Sequence, residues 1–135
     1  MSGNSNTMPN GKKRIAMVAA NPAVSETTGW PIGFWWSEVS HPYWTFTGKG
    51  YEVEIFSPEG GALKADAYSD PEDESGYSAD DLLSLGFKKS PKYAALLEDT
   101  KPISAIDSDA FDALFLTGGQ SPMYTFIDNE KLHRL

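Results

Sequence analysis

No cysteine occurs anywhere in the 135 residues. That excludes disulfides, thiolate metal sites and a cysteine nucleophile within them. Histidine is nearly as scarce: His41 and His133 are the two, and they give no metal constellation of convincing spacing. Bases are outnumbered, with 11 Lys and Arg against 19 Asp and Glu, for a formal charge of −8. Phosphate binding needs clustered Lys and Arg, so nucleic acid is not an expected partner, and neither is an anionic membrane surface. No apolar run approaches the ~20 residues needed to span a bilayer. The opening stretch, 1–12, is polar and lacks an apolar signal core. It reads as a flexible tail, and a cytoplasmic location is expected.

What is present supports a single domain. A chain of this length normally forms one, and 40% hydrophobic residues suffice for a core. The acidity is concentrated: Asp66, Asp70, Glu72, Asp73, Glu74, Asp80 and Asp81 fall together with no base among them. Such a run reads as a solvated loop. It lacks the alternating ligand spacing and turn glycine of a calcium-binding loop, so no metal is expected.

Residues 14–20 are almost continuously apolar, as in a strand buried on both faces of a parallel sheet. A loop rich in Pro, Gly, Ser and Thr follows over 21–32. The aromatic segment 34–46 has helical spacing in part, with Phe34, Val39 and Tyr43 on one face. Pro42 is expected to break or restart that helix, with Ser40 as a cap. Gly48 and Gly50 are stop signals. Residues 51–57 alternate as a second strand, closed by the turn Pro58-Glu59-Gly60-Gly61. The long middle, 62–108, reads mostly as loop with short helices at 80–85 and 92–97. A third strand is expected at 111–116, a turn or short helix at 121–126, and a further helix from 129, capped by Asp128. This order predicts an α/β doubly wound parallel sheet. Ligands in such sheets sit beyond the carboxyl ends of the strands, where 21–33, 57–61 and 118–123 should converge.

Within that frame a few residues can carry chemistry. Glu38 lies between Trp35, Trp36 and His41. A carboxylate beside several rings is costly when ionised, which is the usual preparation of a proton donor or acceptor, although an exposed helix glutamate has the same pattern. Gly118 and Gly119 end an apolar strand, where glycine lets the backbone turn sharply and aim amide N–H groups at a ligand oxygen. An ordinary strand-end turn has the same residues. His41 reads as a base, a ligand or a structural histidine; His133 reads as surface. The loop Ser25-Glu26-Thr27-Thr28-Gly29 stands where a flavin phosphate loop would, but with too few glycines, so no cofactor is expected.

Three stretches together carry a resemblance: Thr28-Gly29 through Gly33-Phe34-Trp35 to Glu38 and His41-Pro42-Tyr43; Gly50-Tyr51-Glu52-Val53 through Ser57-Pro58-Glu59-Gly60-Gly61; and Phe111 through Leu116-Thr117-Gly118-Gly119-Gln120-Ser121-Pro122-Met123. Their order and spacing resemble the ThiJ/PfpI superfamily, which has the class I glutamine-amidotransferase-like fold. The branch nearest in flavour contains stress chaperones and cofactor-independent glyoxalases of the glyoxalase III type. The resemblance implies a flavodoxin-like doubly wound domain over 13–135, truncated before the nucleophile strand. It implies a cysteine-dependent enzyme acting on a small carbonyl substrate, by 2-oxoaldehyde to 2-hydroxy acid conversion or as a related amidase or hydrolase. Glu38 stands in the position of the glutamate that hydrogen-bonds the cysteine, and Gly119 in that of the oxyanion-hole amide. Gly118, Gln120 and His41 fall at substrate-facing positions. Many relatives have His-Gly after the Gly-Gly pair, where this chain has Gln120-Ser121.

The cysteine-histidine pair of the family belongs beyond Leu135, so the chain alone is expected to be inactive and to be the amino-terminal part of a larger unit. Its third strand would then be an open edge, completed by a homodimer partner or a complementing chain. A non-catalytic, chaperone-like binding module is the competing expectation. It rests on Trp30, Phe34, Trp35, Trp36, Tyr43, Trp44 and Phe46 as an interaction patch, against their use as core and dimer interface.

Overall fold

The structure, a computed structural model, describes residues 12–24, 29 and 31–117. Three strands form where hydrophobic patterning places them: β1 (Arg14–Val18), β4 (Glu52–Ser57) and β6 (Ala113–Leu116). A short β5 (Lys101–Pro102) adds a fourth. They make one parallel sheet in the order β5-β4-β1-β6, with β1 paired to β4 and to β6. This is an α/β, flavodoxin-like fold. A small antiparallel pair, β2 (Ala23–Val24) with β3 (Pro31–Ile32), sits in the loop after β1.

β1 is buried on both faces, as its apolar run requires. Met17 and Ala19 point to one side with Ile55 of β4; Ala16, Val18 and Ala20 point to the other with Phe56. The first side is covered by the helices α1 (Trp36–Gly48), α2 (Leu82–Lys89) and α3 (Pro91–Glu98), through Trp36, Val39, Tyr43, Phe87 and Leu97. The second is covered among the described residues by Ile103, with Ile106 and Phe111 beside it. Each fully buried large side chain, such as Phe34, Phe56 or Phe87, contributes about 1.5–3 kcal/mol of hydrophobic stabilisation.

Pro42 does not break α1, which runs through it. Proline at 42 removes the N–H that the carbonyl of Glu38 would accept, and Glu38 is exposed, so water can serve that carbonyl. Ser40 is no cap. It is fully buried and its hydroxyl is 2.7 Å from that of Ser84, tying α1 to α2. The start of α1 follows Trp35, which makes no side-chain capping bond.

The long middle holds the two helices expected there, with shifted ends. Asp81 caps α2 by accepting the Ser84 N–H, and Pro91 opens α3, where its missing N–H costs nothing. The aromatic segment is mainly core: Phe34, Trp36 and Tyr43 are buried, and the rings of Trp36 and Tyr43 lie 5.9 and 5.2 Å from Phe87. Trp35, Trp44 and Phe46 are half-buried, and Trp30 lies outside the described residues.

Candidate functional site

The parallel sheet fixes where ligands can approach. Because α1 returns the chain from β1 to the parallel β4, its first turn lies at the carboxyl edge of the sheet. Glu38 is in that first turn. Trp36, Val39, Ser40 and Tyr43 face inward, and helical rotation carries Glu38 and His41 outward, one turn apart on the same exposed face. The expected enclosure of Glu38 by Trp35 and Trp36 is therefore not realised. Trp36 points to the core from the opposite side of the helix, and Trp35 is half-buried.

Two of the three segments expected at the carboxyl edge meet there. The side chain of Asn21, just beyond β1, donates to Ser57 Oγ (3.3 Å) and to the Gly60 carbonyl (3.1 Å), and accepts the Glu59 N–H (2.8 Å). Ser57 Oγ lies 2.7 Å from Thr100 Oγ1, so the ends of β1 and β4 are clamped with the segment entering β5. Gly60 and Gly61 take positive φ of 76° and 83°, as the turn after β4 demands. β6 arrives beside β1, where the Thr117 N–H donates to the Val18 carbonyl at 3.0 Å. Gly118, Gly119 and Gln120 lie outside the described residues, as do Trp30, His133 and most of the loop 25–29.

His41 has a partner that no local pattern marks. Its Nε2 lies 2.8 Å from Asp81 Oδ1, across the gap from α1 to α2. The same carboxylate accepts from the Ser84 hydroxyl and N–H. Burial pushes Asp81 up, but the hydrogen bonds from Ser84 and His41 outweigh it and hold the carboxyl below its ordinary value. Asp81 just ahead of an apolar helix is a legible capping signal; its contact with His41, forty positions away, is not. Asp66, expected with the acidic run to lie in a solvated loop, is instead buried. It is 5% exposed, and its Oδ1 accepts the Gly33 N–H at 2.8 Å.

No family model matches the chain, and no curated protein matches it. Solved structures do. Rapid Encystment Protein 24 KDa of Francisella tularensis superposes with a TM-score of 0.76 at 24% identity, over 90% of this chain and 51% of that one. Glyoxalase III of Candida albicans superposes at 0.70 and 20% identity, over 90% of this chain and 50% of that one. A protein solved as APC35852 gives 0.65 at 31% identity, over 89% of this chain and 48% of that one. The chain thus spans about half the length of the structures it matches. The parallel sheet, the placing of Glu38 at its carboxyl edge and these likenesses agree with one another: the chain has the ThiJ/PfpI fold, and corresponds to about half of it.

Proposed function

We propose that this chain is the amino-terminal portion of a cysteine-dependent ThiJ/PfpI-type enzyme of the glyoxalase III kind. It contributes Glu38 as the proton-transferring group and the Gly119 amide as an oxyanion donor, with His41 and Gln120 toward the substrate. The observation that carries this reading is Glu38 itself, exposed in the first turn of α1 at the carboxyl edge of the sheet. A likeness to a glyoxalase III over about half that protein's length supports it.

The chemistry asks little more of this chain. In a 2-oxoaldehyde the aldehyde carbon is oxidised and the adjacent ketone carbon is reduced within one molecule, so no external redox partner is needed. A thiolate bonds to the aldehyde carbon, giving a hemithioacetal. A carboxylate in the place of Glu38 takes the proton from that carbon and returns it to the former ketone carbon. Water then cleaves the resulting thioester, releasing the 2-hydroxy acid and the thiol. The 135 residues hold no cysteine, so the sulfur comes from another segment or chain, and the chain alone is inactive.

The test is loss of methylglyoxal, measured for the chain alone and for the chain joined with the polypeptide that supplies the nucleophile. Activity is expected only in the joined form, and Glu38→Gln there should lower kcat by about 10²-fold or more. Full turnover by Glu38→Gln, or turnover by the chain alone, removes the assignment.

A further inference from the structure

We propose that a cleft beside the candidate site, whose lining does not include Glu38, binds a small organic cation carrying an alkylated ammonium group. The cleft has a volume of about 910 Å³, within the range of small-molecule sites. Its apolar walls include Ile32, Trp35 and Tyr68, and its accessible polar side chains are Asp73, Glu74 and Ser75, with the largely buried Asp66 behind them. No Lys or Arg lines it among the described residues. Aromatic faces and carboxylates without a competing cation are what attracts a diffuse positive charge on an apolar body.

The walls are held in place. Tyr77 braces both rings, with centroids 6.4 Å from Trp35 at 90° and 5.7 Å from Tyr68 at 34°. Tyr68 and Tyr77 are 52% and 73% exposed, too open to be explained as core. The Asp66 carboxyl is fixed by the Gly33 N–H at 2.8 Å, and that of Asp73 by the Ser75 N–H at 3.1 Å. Hydrogen bonds from the Ser75 side chain and backbone hold Asp73 below the ordinary carboxylate range, so it stays charged near neutrality. Among the described residues no three His, Asp or Glu side chains converge as a metal ion requires. Carboxylates spread around aromatic walls suit a large, weakly hydrated cation instead.

The probe is choline, compared with its uncharged isostere 3,3-dimethyl-1-butanol, titrated into the 135-residue chain and followed by NMR of the tryptophan indoles. Saturable choline binding is expected, with the neutral alcohol at least about tenfold weaker. Tyr68→Ala should weaken choline by about tenfold while leaving the circular dichroism unchanged, since that ring is half exposed. Glu74→Gln, at an exposed position, should weaken it less and reduce its sensitivity to salt. Absence of saturation, equal binding of the neutral isostere, or undiminished affinity in both variants overturns the proposal. The result does not depend on the catalytic reading, because no nucleophile is required.

Discussion

At the scale of single residues, Gly33 is the described glycine with the least room for a side chain. A Cβ there would overlap the Lys64 carbonyl, in backbone that cannot retreat. The strands of this crossing are stitched on both sides, by Phe34 N–H to the Lys64 carbonyl (3.1 Å) and Asp66 N–H to the Phe34 carbonyl (2.8 Å). Gly33→Ala is therefore expected to cost about 1–3 kcal/mol or more, read as a lower urea midpoint. The glycine was visible in the sequence, but its reason was not, because Lys64 is distant along the chain and nothing local marks the approach. Glu38 shows the converse. Its identity was legible from the motif, while its exposure depended on which face of α1 the core would claim.

Among the elements, the contact between α1 and α2 is a small electrostatic latch. His41, Asp81, Ser84 and Ser40 form one hydrogen-bonded chain across the helix pair. The folded carboxyl of Asp81 titrates below its unfolded value. Its contribution is thus fully present above the unfolded value, near 3.9 for a free aspartate, and is lost as pH falls through the folded one. Asp81→Ala should lower stability by about 1–2 kcal/mol at neutral pH through loss of the cap. The gap between wild type and variant in urea unfolding should close as the solution is acidified below that range. A gap that is constant with pH would show that the carboxylate charge plays no part. The helices themselves were expected, at 80–85 and 92–97, and are found at Leu82–Lys89 and Pro91–Glu98. The short strand β5 was not, since Lys101–Pro102 has no strand pattern and pairs only because β4 offers an edge beside it.

For the whole molecule, the decisive feature is the sheet edge at β6. Leu114 and Leu116 stand opposite Ala16 and Val18 in the register, and they are 40% and 48% exposed. Among the described residues β6 is the end strand of the sheet, and an end strand with exposed apolar side chains invites pairing with a further strand or a second copy. The chain is expected to elute from gel filtration above its mass of 14.8 kDa, and the double change Leu114→Lys with Leu116→Lys to return it to that mass. A compact monomer for the unaltered chain would contradict the expectation.

The sequence by itself determined the α/β class, the three principal strands, both short helices and the absence of any sulfur nucleophile among these residues. Those properties follow from hydrophobic period, turn chemistry and composition, which are local or additive along the chain. Only the tertiary structure decided that Pro42 is carried inside a helix, that Glu38 and His41 face outward together, that Asp81 reaches His41, and that Asp66 with Trp35 and Tyr68 encloses a cleft. Each of these depends on which distant segments pack against one another, and packing is settled by burial of the whole apolar surface at once.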